Sequence, residues 1–293
     1  MNTVLGSLQG GGSRKPRLPR PAALGMWPVL AVLLVIFVWP TVVIISRSVT
    51  DPPGAGLSNF HRVLTDPTVL RFGWNTVRTA LIVTAATAVI GYGYAYAIYR
   101  AGPALRVLLL FCALLPFWTS LLVRSFAWTV ILRDTGIVNW LLLRVDVVDH
   151  PVGLLRTPFA VTLGMTQILL PFVILPCYTA MMRFDRDLHL AARSLGARPS
   201  AAFWLVFFPV TRVGLVAGSI LVLVLSLGYY ITPVLLGGPG DQPIAVLIAS
   251  QVTTQLDWGL AGSMAAVVTA VVLALLALGW RLVARAFLGE EVR

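Results

Sequence analysis

Few residues in this chain could make or break bonds, and none is spaced to do so. The histidines, His61, His150 and His189, fall between apolar runs. No H-E-x-x-H places two of them on one helix face, so metal-assisted hydrolysis has no ligand set. Cys112 and Cys177 sit inside apolar runs, where a thiol behaves as a small hydrophobe. There is no G-x-x-x-x-G-K-[ST], and the Gly-rich stretches "GGGSRKP" and "LGGPGDQP" do not join a strand to a helix. The chain therefore lacks a phosphate cradle of its own. No acid lies well inside an apolar run, which leaves a proton relay without members. These absences predict no catalytic residue, no metal and no resident cofactor.

Other residues are suited to contact rather than reaction. In "LPFWTS", Pro116 bends a helix and frees backbone carbonyls, with Thr119 and Ser120 nearby to re-satisfy polar groups. Trp118 reads as the wall of a pathway or as packing; its face would attract an organic cation. Arg124 reads as an anchor at the outer end of its span. Gln167, near Pro171, is polar in mid-span, so it lines a cavity or bonds a neighbouring helix. Gly91 and Gly93 in "IGYGYAYA" read as close-packing positions.

The stretch "LAARSLGARPSAAFWLVFFP", Leu190 to Pro209, is too polar at one end to span a bilayer. Asp185 can cap a helix starting at Arg186, with Asp187 favourably near its N-terminus. Ala191, Ala192 and Leu195 fall on neighbouring faces, and the adjacent alanines keep one flank thin. Gly196 fits a left-handed helix end, and Pro199 the first turn of a second helix. This helix–turn–helix reads as a docking knob or as an ordinary amphipathic interfacial loop.

The elements that must hold these residues are transmembrane. Of 293 residues, 58% are hydrophobic and only 11% charged, with a mean hydropathy of +0.88. Six runs could cross a hydrocarbon core about 30 Å thick. They are Met26–Ile45, Phe72–Tyr99, Val107–Trp128, Pro158–Met181, Val206–Leu227 and Ala261–Leu282. Spans this apolar are helices, which predicts an all-α polytopic bundle. Residues 1–25 read as a disordered basic tail, 26–286 as the membrane domain and 287–293 as a short C-terminal tail. The net charge of +11 comes from arginines flanking the runs, as membrane placement favours, and not from a nucleic-acid surface. The tail, the loop after span two and the 183–209 loop carry that charge, whereas Gly228 to Leu260 has no basic residue. Both termini are therefore expected inside. The loop after span three conflicts, with Arg133, Arg144 and Arg156 on the outside. Ser58 is expected to cap a short surface helix that ends before Pro67.

The Leu190–Pro209 stretch resembles the E-A-A-x-x-x-G loop of ABC importer permeases, which inserts into a groove on the ATPase subunit. Ala191, Ala192, Gly196, Phe203, Val206 and Pro209 match the extended pattern, and Leu190 stands where the family usually has Glu. "LLPFWTSLLVRSFAWTVILRDTGIVN" and "GYYITPVLLGGPGDQPIAVLIASQVTTQLDWGLAGSMA" are similar to regions of the spermidine/putrescine branch. The resemblance implies a type I importer permease fold in the bacterial inner membrane. It implies as partners an ATPase subunit dimer that binds the ATP, a second permease of the same or another kind, and an extracytoplasmic substrate-binding protein. It also implies a gate near Tyr229 and Tyr230 and a polyamine substrate. Look-alikes in that branch carry opines, ferric iron or phosphonates. The rival class is a secondary transporter working without ATP, which has no reason to keep this loop.

Overall fold

The computed structural model describes residues 20–52 and 56–288. The tail expected over 1–25 lies outside them up to residue 19, as do residues 289–293. Helix α1 already begins at Arg20 and runs to Thr50. Its side chains from Trp27 to Trp39 are largely exposed, as a helix meeting lipid requires.

Helix α2 (Ser58–Thr65) leads into α3 (Pro67–Arg100). Ser58 is not the cap of α2: it is its first helical residue, behind Leu57, and makes no capping bond. The cap appears one helix later. The Asp66 carboxylate accepts the Thr68 amide at 2.7 Å, and Pro67 takes the first position of α3, where no amide is needed.

The third span is not one rod. Helix α4 (Pro103–Leu114) tightens into a 3-10 turn, Leu115–Trp118, and α5 (Leu121–Ile131) leaves it at 102°. Pro116 lies in the tight turn, and Thr119 and Ser120 are extended, so the ladder stops between the halves. A short α6 (Ile137–Arg144) follows. Its buried Asn139 ties the loop together, donating to the Arg133 and Val152 carbonyls at 3.0 Å each and accepting the Val152 amide at 2.8 Å. The fourth span is α7 (Pro158–Leu169) and α8 (Pro171–Met182), bent by 44° where Pro171 cannot donate. Four single helices and these two bent pairs make six spans when each pair counts as one.

Helix α9 (Arg186–Ser194) and α10 (Pro199–Ala202) form the loop before span five. A π-turn over Phe203–Phe207 joins α10 to α11 (Phe208–Leu227). The wide turn has a local cause. Pro209 has no N–H and its ring crowds the carbonyl four residues back, so the Phe208 amide reaches back to Phe203 instead. Beyond Gly228 come α12 (Ile231–Leu236), α13 (Ile244–Ser250) with a second π-turn, and α14 (Trp258–Leu288).

The main core lies where α3, α8 and α11 pack, around Val83, Ile98, Val173, Ile174, Cys177 and Val222. Glycines permit the close approach around Val173: a Cβ on Gly91 would stand 2.9 Å from the Val173 side chain, and one on Gly218 would stand 2.9 Å from the Val173 Cα. Gly93 does not share that role, since a Cβ there would meet open space. A smaller cluster of Val63, Val69, Ile244, Leu247, Leu260 and Met264 joins α2, α3, α13 and α14. Buried Asn59 fixes α2 to the end of α1, donating to the Ser48 and Asp51 carbonyls at 3.0 and 2.8 Å. Arg62 pairs with Asp257 at 3.1 Å, and Arg47 lies 5.0 Å over the Trp258 ring.

Candidate functional site: the 183–209 loop and the broken spans

The loop adopts the turn that its residue types imply. The Asp185 carboxylate accepts the Asp187 amide at 2.9 Å, capping α9. Gly196 is left-handed at φ +86°, a conformation that costs glycine nothing. Its amide donates to the Arg193 carbonyl at 3.0 Å and that of Ala197 donates to the Ala192 carbonyl at 3.1 Å. Orphan carbonyls of α9 are thereby satisfied and the chain reverses. Pro199 opens α10 as expected.

The knob exposes large apolar side chains. Leu190 is 61% and Leu195 is 89% accessible, although both sit among arginines. A protein seldom leaves two large aliphatic side chains bare on a short charged loop unless a surface covers them. Ala191 is exposed and Ala192 half-buried, so the thin flank is available.

An aromatic knuckle joins this loop to the membrane core. Phe207 packs on Phe184 at 4.9 Å between ring centroids, on Tyr99 at 5.4 Å and on Tyr96 at 5.6 Å. Phe203 completes it, 5.2 Å from Tyr96 and 5.5 Å from Phe207. Phe184 and Phe207 are buried, at the two ends of the loop. A shift of α9 therefore presses on rings held by spans two and five, because packed interiors transmit displacement. Phe203 was expected in the loop's pattern. Phe184, Tyr96 and Tyr99 were not singled out, although the i, i+3 spacing of the tyrosines and the i, i+4 spacing of Phe203 and Phe207 are the readable signal.

The six residues expected on a pathway fall in three stretches of the chain, 118–120, 167 and 229–230, each at or next to an interruption of a span. Trp118 is 72% exposed at the break of span three and stacks on Phe111, centroids 6.2 Å apart. Thr119 Oγ1 donates to the Pro116 carbonyl at 3.2 Å, and Ser120 is exposed without a capping bond. Gln167 bonds a neighbouring helix, its Oε1 accepting from Trp128 Nε1 at 3.5 Å, the outer limit for such a bond. Tyr229 and Tyr230 occupy the interruption between α11 and α12, half-buried and exposed respectively. That interruption is held against α5 by the Ser125 and Thr232 hydroxyls, 3.2 Å apart. Arg124, expected as an anchor at the end of its span, is half-buried, and its Nε is buried without a protein partner among the described residues. Broken helices with polar groups at the breaks are how spanning chains expose backbone to a passing solute.

Known proteins share this plan. The family model for the binding-protein-dependent transport system inner membrane component matches residues 89–287. The spermidine/putrescine transport system permease protein PotB of Escherichia coli (strain K12) is 33% identical over 256 residues, 85% of this chain and 93% of that protein. The protein of the same description from Haemophilus influenzae is 32% identical over 261 residues, 87% of this chain and 89% of its own. Among solved structures, a bacterial ABC transporter that imports the acidic polysaccharide alginate has a chain of the same fold. It superposes with a TM-score of 0.70 at 16% identity, over 90% of this chain and 95% of its own. The chain belongs to the binding-protein-dependent transport system inner membrane components: it is a multi-pass permease subunit of an ABC importer, and not an enzyme.

Proposed function

We propose that this permease imports polyamines of the spermidine/putrescine kind. The observation that carries the substrate class is identity of about a third, along most of both chains, to permeases that bear that description. The exposed ring faces of Trp118 and Tyr230, at two breaks in the spans, suit a flexible polycation through cation–π attraction. Tyr229, Thr119, Ser120 and Gln167 complete the candidate pathway. Uptake of labelled spermidine by cells carrying the whole transporter, competed with polyamines, opines, ferric iron and phosphonates, tests it. Excess putrescine should abolish uptake, and uptake indifferent to polyamines refutes the assignment.

The energy is supplied elsewhere. A separate ATPase dimer binds ATP and takes up Leu190, Ala191, Ala192 and Gly196 of the loop. Phe203 and Pro209 carry its motion into span five through the π-turn and the aromatic knuckle. A second permease, identical or paralogous, completes the pathway, and an extracytoplasmic binding protein delivers the substrate. This places the loop and both termini in the cytoplasm and the Gly228–Leu260 segment outside. Positions 6 and 292 lie outside the described residues, and Gly240 lies within them. Single cysteines at 6 and 240, exposed to an impermeant thiol reagent in intact cells, should be labelled only at 240.

A further inference from the structure

Behind the knob lies a recess of about 730 Å³, walled by the aromatic knuckle and Leu190. Three arginines from two elements line it: Arg100 from the last residue of α3, and Arg186 and Arg193 from α9. Among the described residues no carboxylate lines it, and the only ion pair is the distant Arg62–Asp257. All three guanidinium side chains are exposed. Positive charge is thus gathered on one rim of a cavity whose walls are phenyl and phenol rings.

We propose that this recess binds the headgroup of an anionic phospholipid of the inner leaflet. The placement of the leaflet rests on the orientation proposed above. The geometry points to a lipid because the cavity sits where two spans end, at Arg100 and Phe207. Directly beside it the bare side chains of Trp204 and Leu205, 61% and 76% accessible, continue the apolar belt of span five. A lipid meets both halves of the site, its phosphate on the guanidinium forks and its glycerol and upper acyl carbons on the rings. A free anion would leave the rings unused. Three like charges also repel the cationic solute, so the recess is not part of the import path. The bound lipid would tie α9 to the end of α3 and make coupling sensitive to membrane charge.

The test uses the full-length permease in nanodiscs of phosphatidylcholine with or without phosphatidylglycerol, read by native mass spectrometry for lipid retained after release. Wild type should retain phosphatidylglycerol in preference to phosphatidylcholine. Arg100→Gln and Arg193→Gln should each lower that retention about fivefold, the effect of one basic group at a charged interface. Arg100→Lys should keep most of it, and Arg62→Gln, at the other end of the molecule, should change nothing. Equal retention by wild type and both glutamine variants would overturn the proposal. So would displacement of the lipid by excess inorganic phosphate, which marks a free-anion site, or by added ATPase subunit, which marks the cavity as part of that interface. Co-purification of the ATPase is measured in parallel. Its loss from wild type would sink the coupling role of the loop while leaving the lipid result standing.

Discussion

Replacing Gly196 by Val is the sharpest test of the coupling loop. A Cβ at this position would meet no atom within 4 Å, so the substitution creates no clash. The whole cost is conformational: a β-branched residue must sit at φ +86°, worth about 1–3 kcal/mol. The loop can escape only by unwinding the turn. That forfeits the Gly196–Arg193 and Ala197–Ala192 hydrogen bonds, each worth about 0.5–1.5 kcal/mol net. Strain and escape therefore cost alike, and the docked geometry is depopulated about 5- to 150-fold. Fold and membrane insertion should survive, because Gly196 is exposed and far from the α3–α8–α11 core. The assay is co-purification of the ATPase subunit together with ATP-driven uptake in proteoliposomes. Gly196→Val should reach the membrane at near wild-type level, lose the ATPase and fail to transport. Gly196→Asn, which tolerates the left-handed region, should retain much of both. Leu190→Asp should behave like the valine variant, because it puts a charge where an apolar side chain is to be covered, and Leu190→Met should be nearly silent. Wild-type transport by both Gly196→Val and Leu190→Asp would show that the loop is only an interfacial helix.

Three further outcomes are expected. Phe207→Ala removes the ring at the centre of the aromatic knuckle and should cost about 3–5 kcal/mol locally, seen as a lower melting temperature in detergent, whereas Phe207→Tyr should keep most of the packing. Asn59→Ala leaves the Ser48 and Asp51 carbonyls without their donor and should cost about 1–3 kcal/mol, read as faster hydrogen exchange where α1 meets α2. The Asp66 carboxyl is held below its ordinary value by the amide of Thr68, so it stabilises the start of α3 at neutral pH. That contribution is lost as pH falls through the lowered value, because protonation discharges the capping group. Thr68 exchange, corrected for intrinsic rates, should lose protection in acid, and Asp66→Asn should remove the pH dependence.

The loop was legible in the sequence because its signals are local. Asp185, Gly196 and Pro199 each demand a backbone state within a turn or two of themselves, and no distant contact competes with them. The six apolar runs were legible for a related reason: helix is the one backbone form that satisfies itself within a segment in lipid. Those runs and the loop's pattern already implied an all-α permease fold. What the tertiary structure decided is where the helices stop being straight and what their interruptions touch. Pro116 announces a bend, but the 102° turn depends on α5 packing against α7 and α12, with Ser125 meeting Thr232. Gly91 and Gly93 look equivalent along the chain, yet two residues in a helix are about 200° apart, so only Gly91 faces Val173. Arg124 reads along the chain as an anchor at the end of its span, and that its side chain is half-buried is decided by the fold. The aromatic knuckle likewise needs spans two and five side by side. Tyr96 and Tyr99 are more than a hundred positions from Phe203 and Phe207 in the chain, and only helix packing brings them within van der Waals reach.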